Sequence, residues 1–168
     1  KWLYNFSRKN PLTKNTKIFQ IYSPIETNIW RRVDSKKAKL KLKLDLKKNY
    51  ILIGSHGGLK NYRKGGDLFV DSLKYLENFR NKFDIIVLGN HTNKIDFINN
   101  FKFHYRKFTS DKNEQVLYHS AVNLTVSPSR GESIPQFILE TILCNNPVVS
   151  FDIGGMSEII DHKKMVFW

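Results

Sequence analysis

Residues 122–151, VNLTVSPSRGESIPQFILETILCNNPVVSF, decide the fold. The stretch opens on a short β-branched run (122–127), crosses a loop of serine and glycine, continues at helical spacing (133–145) and closes on a second apolar run (147–151). Strand, helix and strand in that order make a βαβ unit, whose two strands lie parallel because the helix carries the chain back across the sheet.

The alternation repeats outward. Further apolar runs lie at 17–22, 50–55, 84–89 and 101–108, and each reads as a strand. Between them, 65–80 places Phe69, Val70, Leu73, Leu76 and Phe79 three and four residues apart, one stripe of a helix. Shorter helices are expected at 92–100 and 110–120. The segment SKKAKLKLKL (35–44) alternates like a strand, but Ser35 suits an N-cap and Leu40 and Leu44 stand one turn apart, so a helix is expected. The fold class that follows is α/β: a Rossmann-like, mostly parallel sheet with helices on both faces. At 168 residues a single domain is expected.

A net charge of +13 favours anionic partners: nucleic acid, acidic lipid or a phosphorylated small molecule. Much of it falls in RRVDSKKAKLKLKLDLKK (31–48), a run more often a solvated face, with an anionic membrane surface as the partner it suits next. The apolar runs are strand-sized, and the N-terminus shows no signal-peptide pattern, so a soluble, cytoplasmic protein is expected, with contact at the inner face of a membrane. The lone cysteine, Cys144, excludes an internal disulfide and reads as a packed, inert thiol.

In such a sheet ligands bind beyond the carboxyl ends of the strands. Three loops there carry glycine and small polar residues: 54–66, 88–93 and 127–135. In the last, SIPQ (133–136) reads as a capping box, with Ser133 as N-cap, Pro135 in the first turn and Gln136 three residues on. The helix would begin near Ile134, its free amides forming an anion site. Glu132 would sit just outside that end and Glu140 about 9 Å along the axis at ~1.5 Å per residue. Two carboxylates so placed suit the two ends of one elongated ligand; the plainer readings are a lysine partner for Glu140 and a helix-end charge for Glu132. Arg63 and Lys64, just before a helix at Gly65 or Gly66, suit a diphosphate, or form a solvated basic turn. Gly154 and Gly155 precede another short helix.

No D-x-D pair is present, and His56, His91, His104, His119 and His162 are scattered, so no metal is expected. Neither a P-loop nor the G-x-G-x-x-G dinucleotide fingerprint occurs.

Taken together, YSPIETNIW (22–30), RKGGDLF (63–69), SPSRGES (127–133), Glu132 and Glu140 eight residues apart, NNPVVSFDIGG (145–155) and SEII (157–160) resemble the C-terminal, donor-binding domain of the family-4 glycosyltransferases of the GT-B fold. The resemblance runs from about Tyr22 to Asp161. It implies one half of a GT-B enzyme and a retaining, metal-independent transfer from a nucleotide-sugar, which is the substrate; no cofactor is implied. Lys64 matches the lysine that contacts the donor diphosphate, and Arg63 stands in for the cation of the family's "GR", which is absent. Glu132 matches the catalytic glutamate beside the sugar, and Glu140 the one that accepts from the ribose hydroxyls. Ser133, Ile134 and Pro135, where the family commonly has the rest of "EGFG", would line the donor site with Gln136. The family's N-terminal acceptor domain has no counterpart here, so a fragment that binds donor but transfers poorly is expected, from an enzyme of surface polysaccharide or glycolipid synthesis. The alternatives weighed are a nucleotide-sugar epimerase-like domain and a basic α/β nucleic-acid-binding module; nucleic acid is not the expected partner, because Glu132 and Glu140 would repel its phosphates.

Overall fold

The computed structural model describes residues 1–54, 58–89, 97–98 and 100–161. Its sheet has six strands: β1 (Asn49–Gly54), β2 (Phe83–Leu88), β3 (Phe97–Ile98), β4 (Phe101–Arg106), β5 (Leu124–Ser127) and β6 (Val148–Ser150), in the order β3-β4-β2-β1-β5-β6. The five strands β4, β2, β1, β5 and β6 run parallel, and β3 pairs antiparallel with β4. Ile51 at the centre sits level with Ile85 on one side and Leu124 on the other.

A parallel sheet is covered on both faces, so its strands read as continuous apolar runs rather than alternating ones. Successive residues of β1 feed opposite cores. Tyr50 and Leu52 join Ile86, Leu88, Tyr118 and Ala121 under α2 (Ser35–Lys41) and α4 (Lys112–Ala121). Ile51 and Ile53 join Ile85, Val87, Phe101 and Phe103 under α3 (Gly66–Ser72) and the 3-10 turns that continue it (Leu73–Phe79). A third cluster, Ile138, Val148 and Met156, seats α5 (Gln136–Leu143) against β6. The chain is thus α/β and Rossmann-like, as the sequence led one to expect.

Several local expectations need correction. Residues 17–22 form no strand: they pair with no strand of the sheet, and Phe19 and Ile21 are exposed. A helix, Trp2–Lys9, precedes them instead, with none of its residues buried. The helix expected at 92–100 gives way to the hairpin of β3 and β4, which turns through Asn100 at φ 64, a left-handed conformation that asparagine tolerates. Residues 92–96 and 99 of that stretch, and the glycine loops at 55–57 and 90–93, lie outside the described residues.

The helix at 35–44 exists but is shorter and turned. Asp34 rather than Ser35 caps it, accepting from the Lys37 amide at 2.9 Å, and its buried residues are Ala38 and Lys39. Leu40 faces solvent. Lys39 can be buried because its ammonium donates to the Lys48 carbonyl at 2.7 Å and lies 5.5 Å from the Tyr50 ring centre; burial pushes its pKa down. Cys144 is fully buried beside Trp30 and Val116, and burial followed by the Glu140 carboxylate pushes its thiol up to about 11, so it is inert at neutral pH. Among the described residues no helix is long and apolar enough to cross a membrane.

The turned helix separates two leucines that the sequence pattern treats alike. Leu44→Ala should cost about 2–4 kcal/mol in urea unfolding, whereas Leu40→Ala should change stability by less than about 0.5 kcal/mol. Equal losses would restore the original stripe.

Candidate functional site

The site is built where the loops after β1, β5 and β6 meet. The loop after β1 ends in a single 3-10 turn, Tyr62–Lys64, and Gly65 then takes a left-handed φ of 67 to start α3. A Cβ on Gly65 would stand 1.8 Å from the Pro128 carbonyl oxygen, so glycine is what allows this loop to touch the one after β5. That contact brings Lys64 beside Glu132: Nζ lies 2.5 Å from Oε1, and the Ser129 hydroxyl donates to the same oxygen at 3.0 Å. Arg63 adds a longer bond to Oε1 at 3.4 Å and one to the Gly131 carbonyl at 3.2 Å. The Glu132 side chain is only 10 % exposed, so one oxygen of a largely desolvated carboxylate carries three donors.

The glycines after β6 close the other side. Gly154 is left-handed at φ 58, and the Gly155 amide donates to the Glu132 carbonyl at 3.2 Å. A Cβ on Gly155 would meet the Ser133 carbonyl oxygen at 1.8 Å, so the backbone of 132–133 rests directly on this turn.

A second bridge locks the same two loops together. Arg130 holds Asp67 in the first turn of α3 through paired bonds of 2.7 and 2.6 Å, donates to the Tyr62 carbonyl at 2.7 Å, and lies 3.9 Å from the Tyr62 ring centre. Its amide donates to the Arg63 carbonyl at 2.8 Å. The guanidinium pulls the Asp67 carboxyl down to about 2. Sequence reasoning missed Arg130, Asp67 and Ser129. Arg130 and Ser129 lay within a quoted motif, but nothing local says that Arg130 will meet a residue 63 positions earlier.

The expected capping box does not form. α5 begins at Gln136, not near Ile134; its N-cap is Pro135 in an extended conformation, and no side chain caps it. A proline biases the residue before it towards extended geometry, which keeps Ser133 and Ile134 out of the helix. Ser133 and Ile134 instead help line a cavity of about 330 Å³, with Tyr22 and Glu158. Glu140 is therefore four residues into the helix rather than six, about 6 Å along the axis. Among the described residues its partner is no lysine: Oε2 lies 3.7 Å from Nε2 of His119. Arg63, Lys64 and Glu132 are thus brought into contact, and Glu140 stands apart on α5 with His119.

Among the described residues no group of three or more His, Cys, Asp or Glu could hold a metal ion. His104 bonds Asp84 at 2.8 Å, at the opposite end of the strands from these loops. His56, His91 and His162 lie outside the described residues.

The Arg130 bridge should show in acid. A depressed carboxyl stabilises the fold above its ordinary pKa of about 4, and that contribution disappears as pH falls towards about 2. The melting temperature of Asp67→Asn should therefore fall below the parent's by a constant margin above about pH 5, and the margin should close between about pH 4 and 2. A margin independent of pH would show that the bridge carries no charge-dependent stability.

Residues 50–167 match the family described as "Glycosyl transferases group 1". The lipopolysaccharide core biosynthesis mannosyltransferase LpsB of Rhizobium meliloti (strain 1021) is 31 % identical over 136 residues, covering 76 % of this chain and 38 % of that protein. The chain thus spans less than two fifths of that relative's length. The C-terminal domain of a glycosyl transferase group 1 family protein (LpcC) from Francisella tularensis superposes with a TM-score of 0.64 at 19 % identity, covering 82 % of this chain and 75 % of that one. Sucrose-phosphate synthase from Thermosynechococcus elongatus gives 0.76 at 14 %, covering 97 % and 42 %. WaaG, a glycosyltransferase of lipopolysaccharide biosynthesis, gives 0.60 at 20 %, covering 74 % and 34 %. The three structures share the fold, and the match over residues 50–167 shows that the chain belongs to the glycosyl transferases group 1 family.

Proposed function

We propose that this chain is the donor-binding domain of a retaining, metal-independent glycosyltransferase of the GT-B type, which takes its sugar from a nucleotide-sugar. The observation that carries the reading is Glu132 held between Lys64 and Arg63 at the carboxyl ends of β1 and β5, where an α/β sheet presents its ligands. A lysine ammonium has three donors, so Lys64 can turn two of them to a diphosphate. Lys64 and Arg63 then supply the countercharge that the leaving diphosphate needs. Once its charge is shared with the donor, Glu132 faces the sugar as the catalytic carboxylate. Glu140 accepts from the ribose hydroxyls, and Ser133, Ile134, Pro135 and Gln136 line the path between them.

In a GT-B enzyme of this kind a second domain would bring the acceptor and exclude water from the transfer. LpsB is a mannosyltransferase of lipopolysaccharide core biosynthesis, which supports a surface polysaccharide or glycolipid as the acceptor class proposed here. The excess positive charge suits work at the anionic inner face of a membrane.

Calorimetric titration with UDP-, GDP- and ADP-sugars tests the reading. One of these should bind. Lys64→Ala should weaken the nucleoside diphosphate far more than the matching nucleoside, and Glu140→Gln should weaken both by about 1.5–3 kcal/mol. Equal losses for the two ligands in Lys64→Ala, or parent-like binding by a folded Glu140→Gln, would overturn it.

A further inference from the structure

His119, on α4, is 1 % exposed and packs edge-on to Trp30 and tilted against Phe137 of α5. The Thr141 hydroxyl donates its proton to the Phe137 carbonyl at 2.7 Å, so at 3.0 Å it can only accept from Nδ1 of His119. The side chain of Asn146 donates to the His119 carbonyl at 2.9 Å and fixes the backbone. Ring and proton are thereby set, and the other nitrogen, Nε2, is buried without a hydrogen-bond partner and aimed at Glu140 Oε2, 3.7 Å away.

In a neutral ring with its proton on Nδ1, that nitrogen presents a lone pair to a carboxylate, which leaves a buried acceptor unpaired. A proton on Nε2 turns the same geometry into a charge-assisted contact that a small rotation of Glu140 would close. Glu140 is the charged group that α5 turns towards the ring. The next titratable group on that side, Cys144, is held neutral by burial, and Arg32 donates to the Asn145 carbonyl at 2.8 Å. Trp30 and Phe137 carry no charge.

We propose that His119 is the positioning residue of Glu140: protonated at Nε2, it holds one carboxylate oxygen so that the remaining acceptor sites meet the donor's vicinal hydroxyls. The inference rests on the donor-binding reading above. The contact forms only with the charged imidazole, so donor affinity should be stronger with that charge than without it. The phosphates of a nucleotide-sugar are diesters and do not titrate where an imidazole does, so the ligand adds no slope of its own.

The test is calorimetry from about pH 5.5 to 8 with UDP-glucose, GDP-mannose and ADP-glucose as probes, on the parent, His119→Gln, His119→Phe and Glu140→Gln. The parent's affinity for the bound probe should be about tenfold higher with the ring charged than with it neutral. His119→Gln, whose amide donates at every pH, should give a flat profile of intermediate affinity; His119→Phe should be flat and at least about tenfold weaker than the parent at pH 5.5. A His119→Gln profile with the parent's slope and affinity overturns the inference, and this variant decides if His119→Phe does not fold. If Glu140→Gln binds like the parent, the donor-binding reading and this inference fall together; if Glu140→Gln is weak while His119→Gln keeps the parent's profile, only the inference falls.

Discussion

One ion pair organises the ligand end of this domain: the Lys64 ammonium, 2.5 Å from a Glu132 carboxylate that solvent barely reaches. The partners are 68 residues apart, on loops after strands β1 and β5, which pair in the sheet. A carboxylate so far withdrawn from water is costly unless paired and hydrogen-bonded. Its partners are therefore constraints on the backbone as much as contacts. Ser129 must turn its hydroxyl inward, the turn at 62–64 must bring Lys64 and Arg63 across, and nothing larger than hydrogen can stand at Gly65.

The surrounding features follow from that demand. Gly155 lets the backbone of 132–133 settle on the turn after β6, and Arg130 ties the same two loops a second time through Asp67. The second tie lies on the exposed side, where an ion pair adds little stability except when its geometry is bidentate, as it is here. The effect is a site whose loops are tied together at two points, with Lys64, Arg63 and Arg130 already committed to acids. On the proposed donor-binding reading, a diphosphate would not meet free cations and would have to share or displace Glu132. On that reading, the competition would link phosphate binding to the freeing of the carboxylate proposed to face the sugar.

The sheet was legible in the sequence because buried parallel strands carry their own signature: ILI in β1, IIV in β2 and the β-branched run before Pro128 need no partner to be recognised. The same signature misled at 17–22, an apolar run that joins no strand of the sheet. It misled at Leu40 as well, since a short helix of lysines and leucines does not say which face will be inward. At the site, motif order pointed to Lys64, Arg63 and Glu132, and the structure puts them in contact. The capping box failed because a local pattern could not weigh Pro135 against the Gly155 turn pressing on Ser133. His119 and Asp67 were beyond reach for a different reason. Their meaning lies in partners on other elements, and a single sequence holds no record of which distant residues meet.

The central claim, that Lys64 is shared between Glu132 and the donor, is tested most directly by the ratio of affinities for a nucleotide-sugar and its bare nucleoside diphosphate, measured in the parent and in Glu132→Gln. The account predicts that the parent prefers the nucleotide-sugar. In the variant the bare diphosphate should bind at least as tightly as in the parent, because Lys64 and Arg63 are released, and the preference for the sugar-bearing ligand should vanish. A variant that keeps the parent's ratio, with the bare diphosphate bound no more tightly, would contradict the account.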